Sequence, residues 1–503
     1  MSQGARHETH EPGGLAGVWS RLPAQRFVER PNYIWYVVAT VCVGAFMAAV
    51  DASIVNVAIP SLQDYFHATA ADASWVLIAY LLTLASLVTA LGRWADMVGR
   101  RPLYTLGFLV FIIGSALCGA ALSLPMLIVS RVLQAAGAAM LQANSVAIIT
   151  ATVPANVRGK AIGFQGSAQA VGLSIGPAVG GALIALFGWR AIFYVNVPVG
   201  IIGTLLGALL LPRDRIRAER QPFDWYGMLL FAPILVAIML AMTEGPAWGW
   251  ASPPILGMFA AAIVLMLGFW WREHRYPHPM INLDLFKIKV MTIGNITGLL
   301  SYAAMFGTLV LMPYFLKRVS HMPESEIGLL LTPVPVAMTV LAPIAGHLAD
   351  RYGSRLLTTG GMAITGVGCL LLGLTANAHV SLVALVVELG LVGAGLGLFT
   401  PPNNSSVMGA APKEHLGLSG GILNMARSLG MSWGTAFALT LMSASLLAAG
   451  ATSSFAPVSD WVTAIRFSFM GLVVLSAIAA ALSASRSSST PGSHSEMHPL
   501  ELA

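Results

Sequence analysis

Gly92-Arg-Trp-Ala-Asp96-Met-Val-Gly99-Arg100-Arg101 recurs in the second half of the chain as Gly346-His-Leu-Ala-Asp350-Arg-Tyr-Gly353-Ser-Arg355. Each copy is a short charged stretch between two long apolar ones. Glycine, acid and arginine at matching offsets in both halves point to an internal duplication, and the repeat therefore fixes the register of everything around it.

Outward from these two turns the sequence is almost unbroken hydrocarbon. Apolar residues make up 56% of the 503 residues and charged ones 10%, with a mean hydropathy of +0.77. A water-exposed globule of that composition would carry very large apolar patches, so the chain reads as a membrane protein. A hydrocarbon layer of about 30 Å calls for about 20 mainly apolar residues per helix. Spans are expected near 34–59, 74–92, 103–122, 124–149, 160–186, 191–211, 226–243, 255–271, 291–316, 327–348, 356–375, 380–400, 416–447 and 462–484. The expected class is all-α integral membrane, with fourteen transmembrane helices.

Charge sets the orientation. The first 32 residues are polar and hold Arg6, Arg21, Arg26 and Arg30, so no removable signal is expected and the first span acts as an anchor. Positive charge before it places the N-terminus in the cytoplasm, and an even span count returns the C-terminus there. The loops agree: Arg93, Arg100, Arg101, Arg158, Lys160, Arg213, Arg215, Arg217, Arg220, Arg272, Arg275, Lys287, Lys289, Arg351, Arg355 and Lys413 fall on that side, against Arg190, Lys317, Arg318 and Arg466 on the other. Orientation thus accounts for the pI of 9.3, and nucleic acid is not among the expected partners. Cys42, Cys118 and Cys369 lie at scattered depths inside spans, as packing residues and not as a disulfide or metal site.

Charged, proline-containing segments at 211–223 and 272–289 divide the spans into six, two and six. The expected domains are a disordered cytoplasmic tail at 1–32, a six-helix bundle at 33–211, two inserted helices with their linkers at 212–290, a second bundle at 291–484 and a disordered tail at 485–503. Each repeat copy then lies between the second and third span of its bundle. Two related halves about a central cavity form a transporter architecture.

The repeated loop resembles the signature of the major facilitator superfamily, and specifically of its fourteen-span drug:proton antiporters, the EmrB/QacA-like proteins. Further matches are Asp51-Ala-Ser-Ile-Val-Asn56-Val-Ala-Ile-Pro60, Arg131-Val-Leu-Gln134-Ala-Ala-Gly137, Gly172-Leu-Ser-Ile-Gly176-Pro177-Ala-Val-Gly180-Gly181, and Trp189-Arg190 with Phe193, Asn196 and Pro198. Together they cover residues 33–484 in the family's order. Trp94 departs from the pattern where an aliphatic residue is usual. The resemblance implies a major facilitator fold and proton-driven export by alternating access. It also implies that the Gly-Pro-x-x-Gly-Gly core, with Gly172, Gly176, Pro177, Gly180 and Gly181, marks exchange, and that the loops carrying Gly92, Asp96, Gly99, Arg100, Asp350 and Arg355 latch the halves together.

Four charged residues lie well inside the spans: Asp51, Arg131, Glu388 and Arg427. An ionised group there costs a few kcal/mol and needs a reason. Counted from the expected outer ends, Asp51, Arg131 and Glu388 each sit roughly 10 Å deep and could share one cavity. Asp51 is the leading proton carrier, with Arg131 setting its affinity, although a static pair joining two spans is the plainer reading. Glu388 could attract cations, carry a second proton, or bond a neighbouring helix as a protonated acid. Asn56, Tyr80, Gln134, Asn144, Asn404 and Arg427 are the candidate substrate-cavity residues, and glycines at 92 and 99 are expected to shape the first tight turn.

The expected activity is proton-coupled export of hydrophobic or cationic drugs or other amphipathic compounds from a bacterial cytoplasmic (inner) membrane. The alternative is a dedicated exporter of one lipid or secondary metabolite. The expected partners are the substrates and the bilayer, with a periplasmic adaptor protein as a further candidate; no cofactor is expected beyond the proton gradient. Neither a His-Glu-x-x-His nor a phosphate-cradling Gly-x-x-x-x-Gly-Lys-Ser/Thr motif occurs, and the Gly-x-Ser-x-Gly patterns at 172–176 and 417–421 lie inside expected spans and not at a nucleophile turn, which argues against an enzyme or an ATP-driven pump. Single buried carboxylates favour protons over sodium.

Overall fold

A computed structural model describes residues 32–212, 224–276, 283–377, 381–412, 416–450 and 456–486. Of the expected tails at 1–32 and 485–503, residues 1–31 and 487–503 lie outside the described residues, as do the side chains of Asp96 and Asp350. Among the described residues the regular structure is helical throughout. The helices are α1 Tyr33–Phe66, α2 Ala70–Val98, α3 Arg100–Gly119, α4 Leu124–Thr152, α5 Ala155–Phe187, α6 Ala191–Tyr194, α7 Asn196–Leu210, α8 Trp225–Trp248, α9 Pro253–Arg275, α10 Lys289–Arg318, α11 Glu324–Leu330, α12 Pro333–Tyr352, α13 Ser354–Thr375, α14 Leu382–Ala410, α15 Leu416–Ala448 and α16 Val458–Ala484.

Among the described residues, fourteen segments are long and apolar enough to cross a bilayer. Two are built from consecutive helices, α6 with α7 and α11 with α12, the second joined just before Pro333 at the start of α12. Crossing alternately, they put both ends of the described chain on one face, called here the tail side; the other face is the far side. Local chemistry sets several ends. Thr69 and Asp72 form a reciprocal cap at the start of α2, and Ser123 and Ser381 accept from the first turns of α4 and α14. Buried Asp224 caps α8 and pairs with Arg272 at 3.1 Å, tying the tail-side ends of α8 and α9 together.

The two signature copies fold alike. Gly99 and Gly353 adopt φ of +104° and +81°, a region where a side chain is strained, and break the chain between α2 and α3 and between α12 and α13. Their amides bond the carbonyls of Ala95 at 2.8 Å and Ala349 at 2.9 Å. Gly92 does not shape this turn, contrary to expectation. It lies within α2 facing Ala143 of α4, so it serves helix packing.

One bundle gathers α1–α7 and the other α10–α16, with α1 lying on α5 and α10 on α15. The bundles meet where α2 lies along α15, α5 meets α11 and α12, and α1 meets α10. Helix α8 fills the seam beside α2 and α15, where Phe231, Ile234 and Met239 join Ile78, Leu82 and Met425. Helix α9 packs mainly on α8 and is the least buried span; Leu256, Ile263, Val264, Leu267 and Trp270 face outward, as a lipid-facing helix requires.

Close backbone contact holds these pairs, because apolar helices gain little from the hydrophobic effect inside lipid. A Cβ at Gly434 of α15 would strike the Ala303 carbonyl of α10, and one at Gly393 the Val334 carbonyl of α12. Gly172 and Gly180 admit α1 in the same way, with Phe46 O and Ile54 Cγ1 each 2.7 Å from the built positions, and Gly176 faces Ser53. The five family-marking residues of α5 do not all point one way, however. Gly181 and the Pro177 carbonyl turn to Glu324 and Gly328 of α11, in the other bundle. We predict that Gly434→Ala costs ~1–3 kcal/mol through overpacking. Its melting point in detergent should fall by several degrees, while Gly409→Ala, which meets nothing, melts like wild type.

Candidate functional site

The centre of the first bundle holds a closed polar network. Asp51 of α1 and Arg131 of α4 are both fully buried, with Nη1 of Arg131 at 2.6 Å from Asp51 Oδ2. Asp51 Oδ1 accepts from Nε2 of Gln134 and from Nδ2 of Asn196, each at 2.8 Å. Gln134 Oε1 accepts from Arg131 Nη1 at 2.6 Å, and Gln134 Nε2 donates also to Ser115 Oγ at 2.7 Å. That pattern allows the carboxamide one orientation. Nε of Arg131 donates to the Val76 carbonyl of α2 at 2.9 Å, and the guanidinium lies 4.1 Å over the Tyr80 ring. Five helices thus join one network, α4 and the first residue of α7 bonding the α1 carboxylate directly and α2 and α3 reaching it through Arg131 and Gln134.

Burying two charges costs several kcal/mol per ion before their attraction is counted, and the added hydrogen bonds offset that loss. Asp51 receives three donors, and Nη2 of Arg131 is left without a hydrogen-bond partner. An ionised carboxylate accepts only; a protonated one must also donate. Each of these three partners donates to Asp51, so a proton added to the carboxylate finds no acceptor among them.

Glu388 is not part of this site. It lies near the far-side end of α14 in the other bundle and accepts from Thr375 Oγ1 of α13 at 3.0 Å. The shared cavity for three charges is therefore corrected: α1 runs seven residues beyond its expected end at 59, carrying Asp51 deeper, and Glu388 bonds its neighbouring helix.

A second polar region lies in the tail-side half of the α10–α16 bundle. A cavity of about 40 Å³ is lined there by Asn295, Tyr302, Asn403, Asn404, Asn424 and Arg427 among others. Of the six expected cavity residues, Asn404 and Arg427 line it. Tyr80 and Gln134 belong instead to the Asp51 network. Asn56 and Asn144 bond carbonyls of their own helices, with their side-chain oxygens unpartnered. Arg427 spans the bundles, donating to Gln169 Oε1 of α5 at 3.0 Å and Gln142 Oε1 of α4 at 3.1 Å.

The far side is closed. Arg318 reaches Asp64 at 2.6 Å, Lys317 reaches Asp64 at 3.2 Å and Glu324 at 3.1 Å, and Ser61 donates to Glu324 at 3.1 Å. These partly exposed pairs are each worth little; the backbone contact of Gly181 with Gly328 seals the same edge. On the tail side, Arg100 donates to the Ala147 carbonyl of α4 in its own bundle, and Arg355 is exposed.

Three residues of these sites escaped the sequence-derived sets. Asn196 stood in a quoted motif without an assigned role, and Ser115 gave no signal in its apolar span. Arg486 was assigned to the disordered tail. It is buried, and its Nη2 donates to Thr297 Oγ1 at 2.7 Å and Asn403 Oδ1 at 2.5 Å. Burial pushes its guanidinium down to about 10, which leaves it charged at neutral pH.

Two helical bundles about a buried ion pair, with cross-bundle contacts at both faces, define a polytopic transport protein. The pattern of the Major Facilitator Superfamily matches residues 41–435, and the chain belongs to that family. It is accordingly a transporter and not an enzyme. It is 37% identical over 415 residues to the riboflavin transporter RibZ of Clostridioides difficile, covering 82% of this chain and 89% of that one. It is 34% identical over 406 residues to the multidrug resistance protein Stp of Mycobacterium tuberculosis, covering 80% of this chain and 75% of that one. Identity to the tetracenomycin C resistance and export protein of Streptomyces glaucescens is 33% over 440 residues, covering 86% and 80%. In fold it resembles a bacterial homologue of the lysosomal transporter Spinster, with a TM-score of 0.65, 18% identity and 90% and 97% of the chains covered.

Breaking a buried pair from one side leaves a bare charge and costs ~3–5 kcal/mol, whereas removing both charges is far less harmful. We predict that Arg131→Gln alone lowers the melting point and folded yield sharply. Combined with Asp51→Asn, it should recover most of the loss; strictly additive losses would show that the pair carries no coupling.

Proposed function

We propose that this transporter is a proton-coupled exporter of amphipathic, largely apolar compounds, of the fourteen-span drug:proton antiporter branch. Fourteen apolar segments, the ordered motifs and relatives named for multidrug resistance and antibiotic export support that branch. The tail side is then cytoplasmic, as the segregation of arginine and lysine requires, and the membrane is the bacterial cytoplasmic membrane.

The observation that carries proton coupling is the donor-only surrounding of Asp51. Protonation removes the charge that strengthens the bonds from Arg131, Gln134 and Asn196, and so weakens the ties among α1, α3, α4 and α7. A carboxylate whose proton affinity differs between two arrangements of these helices transmits about 1.4 kcal/mol per pKa unit of difference. Arg131 sets that affinity, and the α5–α11 contact is the far-side gate that opens as the bundles rock.

A second reading, export of one dedicated metabolite, is favoured by the asparagine-lined cavity, since precisely placed polar groups confer specificity. Everted membrane vesicles with an imposed pH gradient distinguish the readings when ethidium, riboflavin and tetracenomycin C are added separately and proton leakage is followed by acridine orange. At least one compound should dissipate the gradient through wild type. Asp51→Asn at equal expression should abolish the effect. Equal dissipation by Asp51→Asn would refute coupling at this carboxylate, and a response to one compound alone would favour the dedicated exporter.

A further inference from the structure

The polar groups in the wall of the tail-side cavity differ in how far they are already used. Asn403 is fully committed: its Oδ1 accepts from Arg486, and its Nδ2 donates to the Gly294 carbonyl at 3.1 Å. Arg427, the one charged residue among those that line the cavity, donates from Nη1 and Nη2 to the neutral oxygens of Gln169 and Gln142 in the other bundle. Asn295 of α10 is different. It is 5% exposed and lines the cavity, and its Oδ1 has no partner. Its Nδ2 donates to the Met291 carbonyl, one turn back, at 2.8 Å. Turning the carboxamide over would bring two oxygens together at that contact, so the bond to Met291 fixes the orientation and makes the unpartnered atom an acceptor.

We propose that Asn295 Oδ1 is the specificity-determining acceptor of a substrate subsite, and that it takes an uncharged hydrogen-bond donor, a hydroxyl or an amide-type N–H, carried by the exported compound. The inference rests on the export reading and narrows its substrate class to neutral amphipathic molecules that present such a donor. An anion would set its own lone pairs against Asn295 Oδ1. A cation could donate to that oxygen, but it would meet the Arg427 charge in a wall that holds no carboxylate. A neutral donor meets neither obstacle, and it supplies the bond that this buried acceptor lacks.

Asn404 and Asn424 line the same cavity, and their carboxamides can bond the acceptor atoms that accompany an amide-type donor. A water needs ~10–15 Å³ of such space. The cavity, at about 40 Å³, holds a group of a few heavy atoms and not a whole amphipathic molecule, so the polar head enters it and the apolar body lies outside. A few precisely placed polar groups beside a larger apolar contact are what fix a ligand's orientation. The Arg427 bridge to Gln142 and Gln169 places this head-group contact at the seam between the bundles.

Fragments that share one ring and differ in donor and charge test this on the full-length chain purified in detergent, without any gradient. Unfolding is followed as exposure of the buried Cys118 and Cys369 thiols. At equal concentration and ionic strength, benzamide should raise the melting point by ~1–2 °C. N,N-dimethylbenzamide, which has no donor, should not, and neither should benzylammonium or benzoate. Asn295→Leu, similar in volume but without the acceptor, should melt no lower than wild type on its own and should lose the benzamide shift. An asparagine with a purely structural role would give the reverse, a lower melting point with the shift retained. Asn295→Ala removes the same oxygen and keeps the test valid if leucine packs poorly. The proposal fails if benzamide and its dimethyl derivative act alike, since water alone then meets the acceptor. It fails equally if either ion stabilises as much as benzamide, or if a folded Asn295 variant keeps the shift. A donor-specific shift that needs Asn295, found beside inactive vesicles, would overturn the export reading and leave the subsite standing. Gradient dissipation that depends on Asp51, found without a donor-specific shift, would overturn the subsite alone.

Discussion

The buried contact between Asp51 and Arg131 is the constraint around which the first bundle is organised. Neither charge could remain in the membrane interior alone. Arg131 therefore draws in the Val76 carbonyl and the Tyr80 face, and Asp51 draws in Gln134 and Asn196. The result is a carboxylate whose partners suit its ionised form and offer no acceptor to its protonated form. In the proposed mechanism, stability and proton coupling come from the same few atoms.

Glycine geometry turns that local chemistry into a movable architecture. Gly172, Gly176 and Gly180 hold α5 against α1, the helix that carries Asp51, while one residue further on Gly181 and Pro177 face α11 of the other bundle. One helix therefore touches both the helix that carries Asp51 and the far-side contact with the other bundle. A shift of α1 against α5 is felt directly at the Gly181–Gly328 edge. The ionic contacts of Asp64, Lys317, Arg318 and Glu324 on the same face are partly exposed and weak enough to open.

Much of this was legible in the sequence because the membrane makes hydropathy decisive. The fourteen spans stand in the expected order with most ends within several residues, although α14 runs ten residues beyond its expected end at 400, and the repeated signature located two turns that prove to share the same glycine conformation. Asp51 and Arg131 stood out because charge is rare in spans. Glu388 stood out for the same reason and was misplaced, since a lone acid on a helix does not say which neighbour it faces; Thr375 is visible only once α13 and α14 pack. Gly92 was read as a turn glycine from its motif, although only Gly99 requires positive φ. Asn196, Ser115 and Arg486 are ordinary residues by composition, and their importance is wholly one of position. Arg486 in particular follows the last apolar span and precedes a serine-rich stretch, so nothing in its sequence context signals that it folds back against α10 and α14.

The central claim is that the protonation state of Asp51 sets the relative position of the two bundles. Distance distributions across the far side test it most directly, with spin labels at the exposed positions Leu186 and Leu329 and with the native cysteines replaced. Double electron–electron resonance over a pH series should show two distance populations that exchange weight in the wild-type background. In Asp51→Asn, which cannot ionise, their ratio should stay constant at every pH. A ratio that follows pH identically in Asp51→Asn would contradict the account and move the proton switch to another residue.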